Sequence, residues 1–223
     1  MAKKKSVSVS MIAGCGNKLV RFSYPALFEP KAMENGPLKY SVMLLIDKDD
    51  QATISAFQDA MKQCIAEALA AGMWGGQIPP DLRKPLRDGD TDPTHKDDPV
   101  YAGKYFVNAS STYKPGVVNR NNQEIINPDE VYPGCWGRAQ INLFPYDSMG
   151  NRGIGVGLNN IQKVMDGENL SGRPDPRTVF AGFDNSAYND ADDFAVAVGV
   201  AADDFAVVDT YDPRAVQDDI LPY

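Results

Sequence analysis

"GCWGRAQINLFPYD", residues 134–147, is the stretch on which the reading of the chain turns. Cys135, Ala139, Ile141 and Leu143 share one parity; Trp136, Arg138, Gln140, Asn142, Phe144 and Tyr146 share the other. A period of two belongs to a strand with one buried face. The second set mixes rings, a cation and amides. Burial does not call for that mixture, whereas a face for unpaired bases does, because rings stack on any base and cations follow the phosphates. Trp136, Arg138, Gln140, Phe144 and Tyr146 are therefore candidate nucleic-acid contacts.

The neighbouring segments repeat the pattern. In "NRGIGVGLNNIQKV", 151–164, Ile154, Val156 and Leu158 face one way and Gly153, Gly155, Gly157 and Asn159 the other. The segment lacks both the GxGxxG spacing and the following helical pattern of a phosphate loop. Its glycines are expected to let a barrel strand bend; the competing reading is close approach of a ligand to the backbone. In "YAGKYFVNASSTY", 101–113, Tyr105, Val107 and Ala109 oppose Lys104, Phe106, Asn108, Ser110 and Thr112, and Lys114 continues the second set. Lys104, Phe106, Asn108 and Lys114 join the candidates, so that two stripes make a groove. The competing reading has Trp136, Phe144 and Phe106 plugging a second core beneath a helix or loop, with the polar members forming an ordinary solvated face.

Working outward, residues 19–28 and 38–46 read as a strand pair across the turn-prone "ENGP". Asp49 or Asp50 caps a helix in which Ile54, Phe57, Met61, Ile65, Ala68 and Leu69 recur at helical spacing up to Gly72. Residues 72–99, rich in Gly, Pro and charge, read as a long loop, and 115–133 as a hairpin excursion. Strands, one principal helix and more strands predict a mainly β domain, an OB-like antiparallel barrel.

The chain's 223 residues are 43% hydrophobic, enough for a core, and carry a net charge of -8, which by itself argues against a nucleic-acid partner. The distribution reverses that inference. Residues 184–223 hold ten acids and one base, a charge of -9; of the chain's 30 acids and 22 bases this leaves 20 and 21, a net of +1, for residues 1–183. The expected organisation is a binding domain over 1–183 and an acidic, mostly disordered tail over 184–223. The tail contains the near repeats "DDFAVAV" and "DDFAVVD" and finishes in "DDILPY"; alternating acidic and apolar units mark partner-binding segments, with a peripheral hairpin as the competing reading. Asp218, Asp219, Ile220, Leu221, Pro222 and Tyr223 are the candidate partner contacts.

Other functions find little material. Cys15, Cys64 and Cys135 form no CxxC pair, and His95 is the single histidine. "DGDTD", 88–92, starts like a calcium loop but has Pro93 where glycine is needed and Pro99 where glutamate is needed. No catalytic set, metal or cofactor is expected. No apolar run is long enough to cross a membrane, so the expected location is cytoplasmic. Lys3, Lys4 and Lys5 read as a solvated terminus or an extra phosphate contact.

The blocks "RFSYPALFEPKA", "YSVMLLIDKDD", "YFVNASSTYKPGVV", "VYPGCWGRAQINLFPYD" and "GNRGIGVGLNNIQKV" together resemble a bacteriophage family of OB-fold single-stranded-DNA-binding proteins, over roughly residues 17–173. The resemblance implies support of DNA replication and recombination: coating unwound strands, removing hairpins and shielding them from nucleases. The ending "DDILPY" is similar to the acidic, Ile-Pro-Phe-closed ends of bacterial single-stranded-DNA-binding proteins, with Leu221 inserted and Tyr223 in place of Phe. That likeness implies recruitment of a polymerase, helicase or nuclease. The rival class is a structural or interaction protein, such as a virion component.

Overall fold

The computed structural model describes residues 7–32, 36–148, 150–172 and 179–183. The chain divides into two units, 1–173 and 174–223. In the second, the described residues form one turn in which the Phe183 N–H donates to the Phe180 carbonyl at 3.1 Å, with both rings exposed. The acidic tail and its candidate partner contacts lie outside the described residues, as do Lys3, Lys4 and Lys5.

The first unit is built from β1 (Val9–Ala13), β2 (Val20–Ala32), β3 (Leu38–Asp47), α1 (Gln51–Ala70), β4 (Arg87–Asp88), β5 (Lys104–Ser111), β6 (Gly116–Val118), β7 (Trp136–Ser148) and β8 (Asn151–Met165). Hydrogen bonding runs β2–β3–β5–β8–β7 and back to β2, a closed five-strand ring. The expected barrel with one principal helix is thus present, with one departure: β5 and β8 pair in parallel, at Ser110↔Gly157. β6 also runs parallel to β8, and β1 lies antiparallel along β7. β1 was not expected, because a five-residue strand of small and aliphatic residues gives a weak periodic signal.

The interior follows the parities. Ala139, Ile141 and Leu143 of β7, Ile154, Val156 and Leu158 of β8, and Val107 and Ala109 of β5 meet Phe22, Val42, Leu44 and Ile46 in one core. α1 packs against β1 and β7 and adds Ile54, Phe57 and Cys64 to it. The helix begins at Asp50, whose carboxylate accepts from the Thr53 N–H at 3.1 Å, a cap worth about 1 kcal/mol. Thr53 in turn accepts from the Gly14 N–H at 3.0 Å, tying the helix to the end of β1.

The expected loop at 72–99 is a built element. The Arg83 N–H donates to the Arg152 carbonyl at 3.0 Å, and the Ile154 N–H donates to the Arg83 carbonyl at 3.0 Å. β4 then pairs with β5, Arg87 opposite Phe106. The excursion thus enters where β5 and β8 diverge and satisfies backbone groups that a longer parallel pairing would otherwise take up. Beyond it, Tyr101 and Phe106 join Met43 and Leu45 in a second buried cluster, with His95 stacked on Tyr101 at 4.1 Å.

Asp88 and Asp90 of the "DGDTD" stretch serve this excursion. Lys48 lies 2.6 Å from a carboxylate oxygen of each, and Asp90 also accepts from the Gly103 N–H at 2.8 Å. The Lys48 ammonium and the Gly103 N–H hold the Asp90 carboxyl below its usual range. A depressed carboxylate contributes stability that is present above about pH 4, its unfolded value, and is lost as pH falls through the lower folded value. The amide-exchange protection factor of Gly103 is therefore expected to drop on acidification below about pH 4 and to be low at neutral pH in Asp90→Ala.

Candidate nucleic-acid interface

β7 presents its outer side chains in the alternation read from the sequence. Phe144 faces Gly155 of β8, Tyr146 faces Gly153 and Asn142 faces Gly157. A Cβ at Gly155 would stand 2.5 Å from the Phe144 Cζ, and one at Gly153 would stand 2.6 Å from the Tyr146 hydroxyl. These rings therefore lie across the neighbouring strand, over positions where only hydrogen leaves room. The β8 glycines thus make space for cross-strand side chains. Phe144 is 37% exposed. Tyr146 is half-buried, with its carbonyl accepting from Trp74 Nε1 at 3.1 Å.

Arg138 is held in place by neutral acceptors. Its Nε donates to the Gly14 carbonyl at 3.1 Å and its Nη1 to Gln162 Oε1 at 3.2 Å. Gln162 donates onward to Asn122 Oδ1 at 2.8 Å. These partners orient the guanidinium without neutralising it, which suits a cation intended for an anion from solution. Gln140, exposed, accepts from Asn160 Nδ2 at 2.6 Å.

The two expected stripes are not adjacent, because β8 runs between β5 and β7. Its glycines form the floor between them. A row of small polar residues crosses four strands at one level: Ser41, Ser110, Gly157 and Asn142 are successive register partners, and Ser10 of β1 extends the row. One pleat further along β5, Asn108 is exposed.

Three expected contacts are placed otherwise. Phe106 is fully buried; Tyr101 packs edge-on to it and the Arg87 guanidinium lies 4.4 Å above its ring, so no base reaches it. This corrects the stacking role expected of it, and the competing second core holds at this residue. Lys104 sits at the same covered end of β5, paired with Asp47 at 3.1 Å. Trp136 is half-buried, with the Arg21 guanidinium 5.5 Å from its ring centroid and Gly167 packed beside its indole nitrogen. Arg21 is itself fixed by the carbonyls of Gly134, at 3.3 Å, and Glu168, at 2.8 Å. The Trp136 ring thus closes the seam between β2, β7 and the segment after β8.

Lys114 is exposed, and beside it stands Tyr113, 82% exposed, which the parity argument passed over although both its neighbours were in the stripe. Lys31 and Lys39, exposed and directly paired across β2 and β3, were also missed. They give no periodic signal, since their meeting depends on the register of two strands.

A closed five-strand ring with one parallel closure is the topology of the OB class, a barrel whose members include binders of oligonucleotides and oligosaccharides. The sequence model of one family, described as Enterobacter phage Enc34, ssDNA-binding protein, matches residues 14–195. The chain belongs to this family. It is 30% identical over 167 residues to protein p50 of Acyrthosiphon pisum secondary endosymbiont phage 1, covering 69% of this chain and 84% of that protein. The structure of the single-stranded DNA-binding protein from bacteriophage Enc34 in complex with ssDNA is 28% identical, with a TM-score of 0.59 over 74% of this chain and 90% of that one. A further structure of the Enc34 protein gives 27% identity and a TM-score of 0.57, covering 79% and 91%.

Proposed function

We propose that this chain binds single-stranded DNA with little base preference, across the outer face of β5, β8 and β7, and so coats and protects unwound DNA during phage replication or recombination in the host cytoplasm. Family membership supports the reading. The observation that carries it is the Phe144 ring, laid over Gly155 and open to solvent on the same face as a guanidinium fixed by neutral acceptors. Stacking on an exposed ring is indifferent to base identity, and phosphate contacts are indifferent to sequence. The binding involves no reaction of its own.

The acidic segment 184–223 is proposed to meet replication or recombination enzymes. Asp218, Asp219 and the terminal carboxylate suit a basic rim, and Ile220, Leu221, Pro222 and Tyr223 suit an apolar pocket within it. Deleting 184–223 is expected to leave DNA affinity unchanged or to raise it, most at low salt, because a charge of -9 is removed from the chain.

Titration of a fluorescent oligo(dT) tests the reading. The logarithm of the affinity should fall linearly with the logarithm of salt concentration, by about 0.7 for each phosphate neutralised, and Lys114→Ala should remove about one such contact. Absence of binding at low salt would leave the chain a structural or interaction protein. Magnesium-dependent degradation of the oligonucleotide would overturn the non-enzymatic reading.

A further inference from the structure

Tyr24 occupies a position that neither the backbone nor the core explains. β2 and β3 are in register at Ser23↔Met43 and next at Ala26↔Ser41, so β2 has one residue more than its partner. The extra residue forms a bulge next to Pro25, which has no N–H to give to the ladder. At the bulge Tyr24 takes φ +46°, a left-handed conformation that bulky residues rarely adopt and that glycine adopts freely. Yet the residue is 67% exposed. Backbone geometry favours glycine here, and the ring belongs to neither core cluster, although it lies near the buried Tyr101. Bulges commonly re-aim a side chain beside a binding site, and backbone strain held in a fold clusters at such sites.

The register shows what the bulge aims at. Tyr24 lies between Ser23, level with Met43 and thus with Asn108 of β5, and Ala26, level with the polar row through Ser41, Ser110, Gly157 and Asn142. Phe144 stands two residues from Asn142, on the same side of that row. At the level of this row β2 is reached from β7 through β8, β5 and β3, four strand spacings or about 19 Å along the curved face; the direct β2–β7 pairing lies away from both rings, at Val20↔Gly137 and Arg21↔Trp136. Two exposed rings therefore stand at opposite ends of a belt of small polar groups, too far apart to hold adjacent bases. Resting on the reading above, we propose that Tyr24 is a second base-stacking platform, which engages the strand several nucleotides away from the base on Phe144, and that the bulge exists to present it.

The test measures oligo(dT) affinity, its salt dependence and thermal unfolding for the full chain and for Tyr24→Gly and Tyr24→Phe. Tyr24→Gly is expected to unfold at the same or a higher temperature, since it relieves the left-handed strain. Its affinity should fall by about 5- to 150-fold, the range for losing one stacked base, with the salt slope unchanged because no charge is lost. Tyr24→Phe keeps the ring and should bind like the unaltered chain. A glycine variant that binds as tightly as the unaltered chain overturns the proposal; so does one that unfolds at a lower temperature, which makes the ring structural. Failure of the unaltered chain to bind oligo(dT) overturns instead the functional reading on which this one rests.

Discussion

Phe144→Ala is expected to weaken binding of oligo(dT) by about 1–3 kcal/mol while leaving thermal unfolding close to that of the unaltered chain. The two halves of this expectation have separate causes. The ring is partly exposed and lies over a glycine, so its removal opens no cavity in either core cluster. The lost energy is that of stacking, and it should be the same for oligo(dT) and oligo(dA) to within the differences in stacking strength of the bases. Equilibrium titration beside a melting curve checks both. Full affinity in a folded Phe144→Ala chain would remove this ring from the interface.

Phe106→Ala should behave in the opposite way. The residue is wholly buried among Met43, Leu45 and Tyr101 and lies under the Arg87 guanidinium. Truncating a buried phenylalanine typically costs about 3–5 kcal/mol, which for a domain of this size is a melting temperature lower by about 6–20 °C. The cavity would also loosen the excursion that this cluster anchors, so protease cleavage within residues 77–103 should rise before global unfolding. DNA affinity per folded molecule should change little, since the ring has no access to a base. The contrast between two phenylalanines, one on each expected stripe, separates interface from core by experiment.

The sequence revealed the alternating strands well, because a period of two is local: β7 keeps it from Trp136 to Phe144, and β8 keeps it from Ile154 to Leu158, until an irregularity in the pairing places Ile161 in the core. The helix was legible for the same reason, down to a cap residue narrowed to Asp49 or Asp50, of which the structure selects Asp50. Parity says which side of a strand a residue lies on, but not what covers that side. Phe106 and Asn108 share a face of β5, and only the path of the excursion through Arg83 and Arg87 buries one and leaves the other open. The parallel closure at Ser110↔Gly157 and the Tyr24 bulge escaped notice because each depends on a pairing between segments distant in sequence. The order of strands around the ring, with β8 between the two stripes, is likewise a property of topology.

The pairing of β1 with β7 has a consequence for how the chain is made. Ser10 and the carbonyl it contacts are 131 residues apart. At about 5–20 residues per second, β1 therefore leaves the ribosome about 7–26 s before the strand it must join. During that interval its Val-Ser-Met-Ile-Ala backbone is an unpaired edge, able to join β1 of another nascent chain. Lys3, Lys4 and Lys5 stand three residues before it in the sequence, and repulsion between such clusters opposes that encounter until β7 has been synthesised.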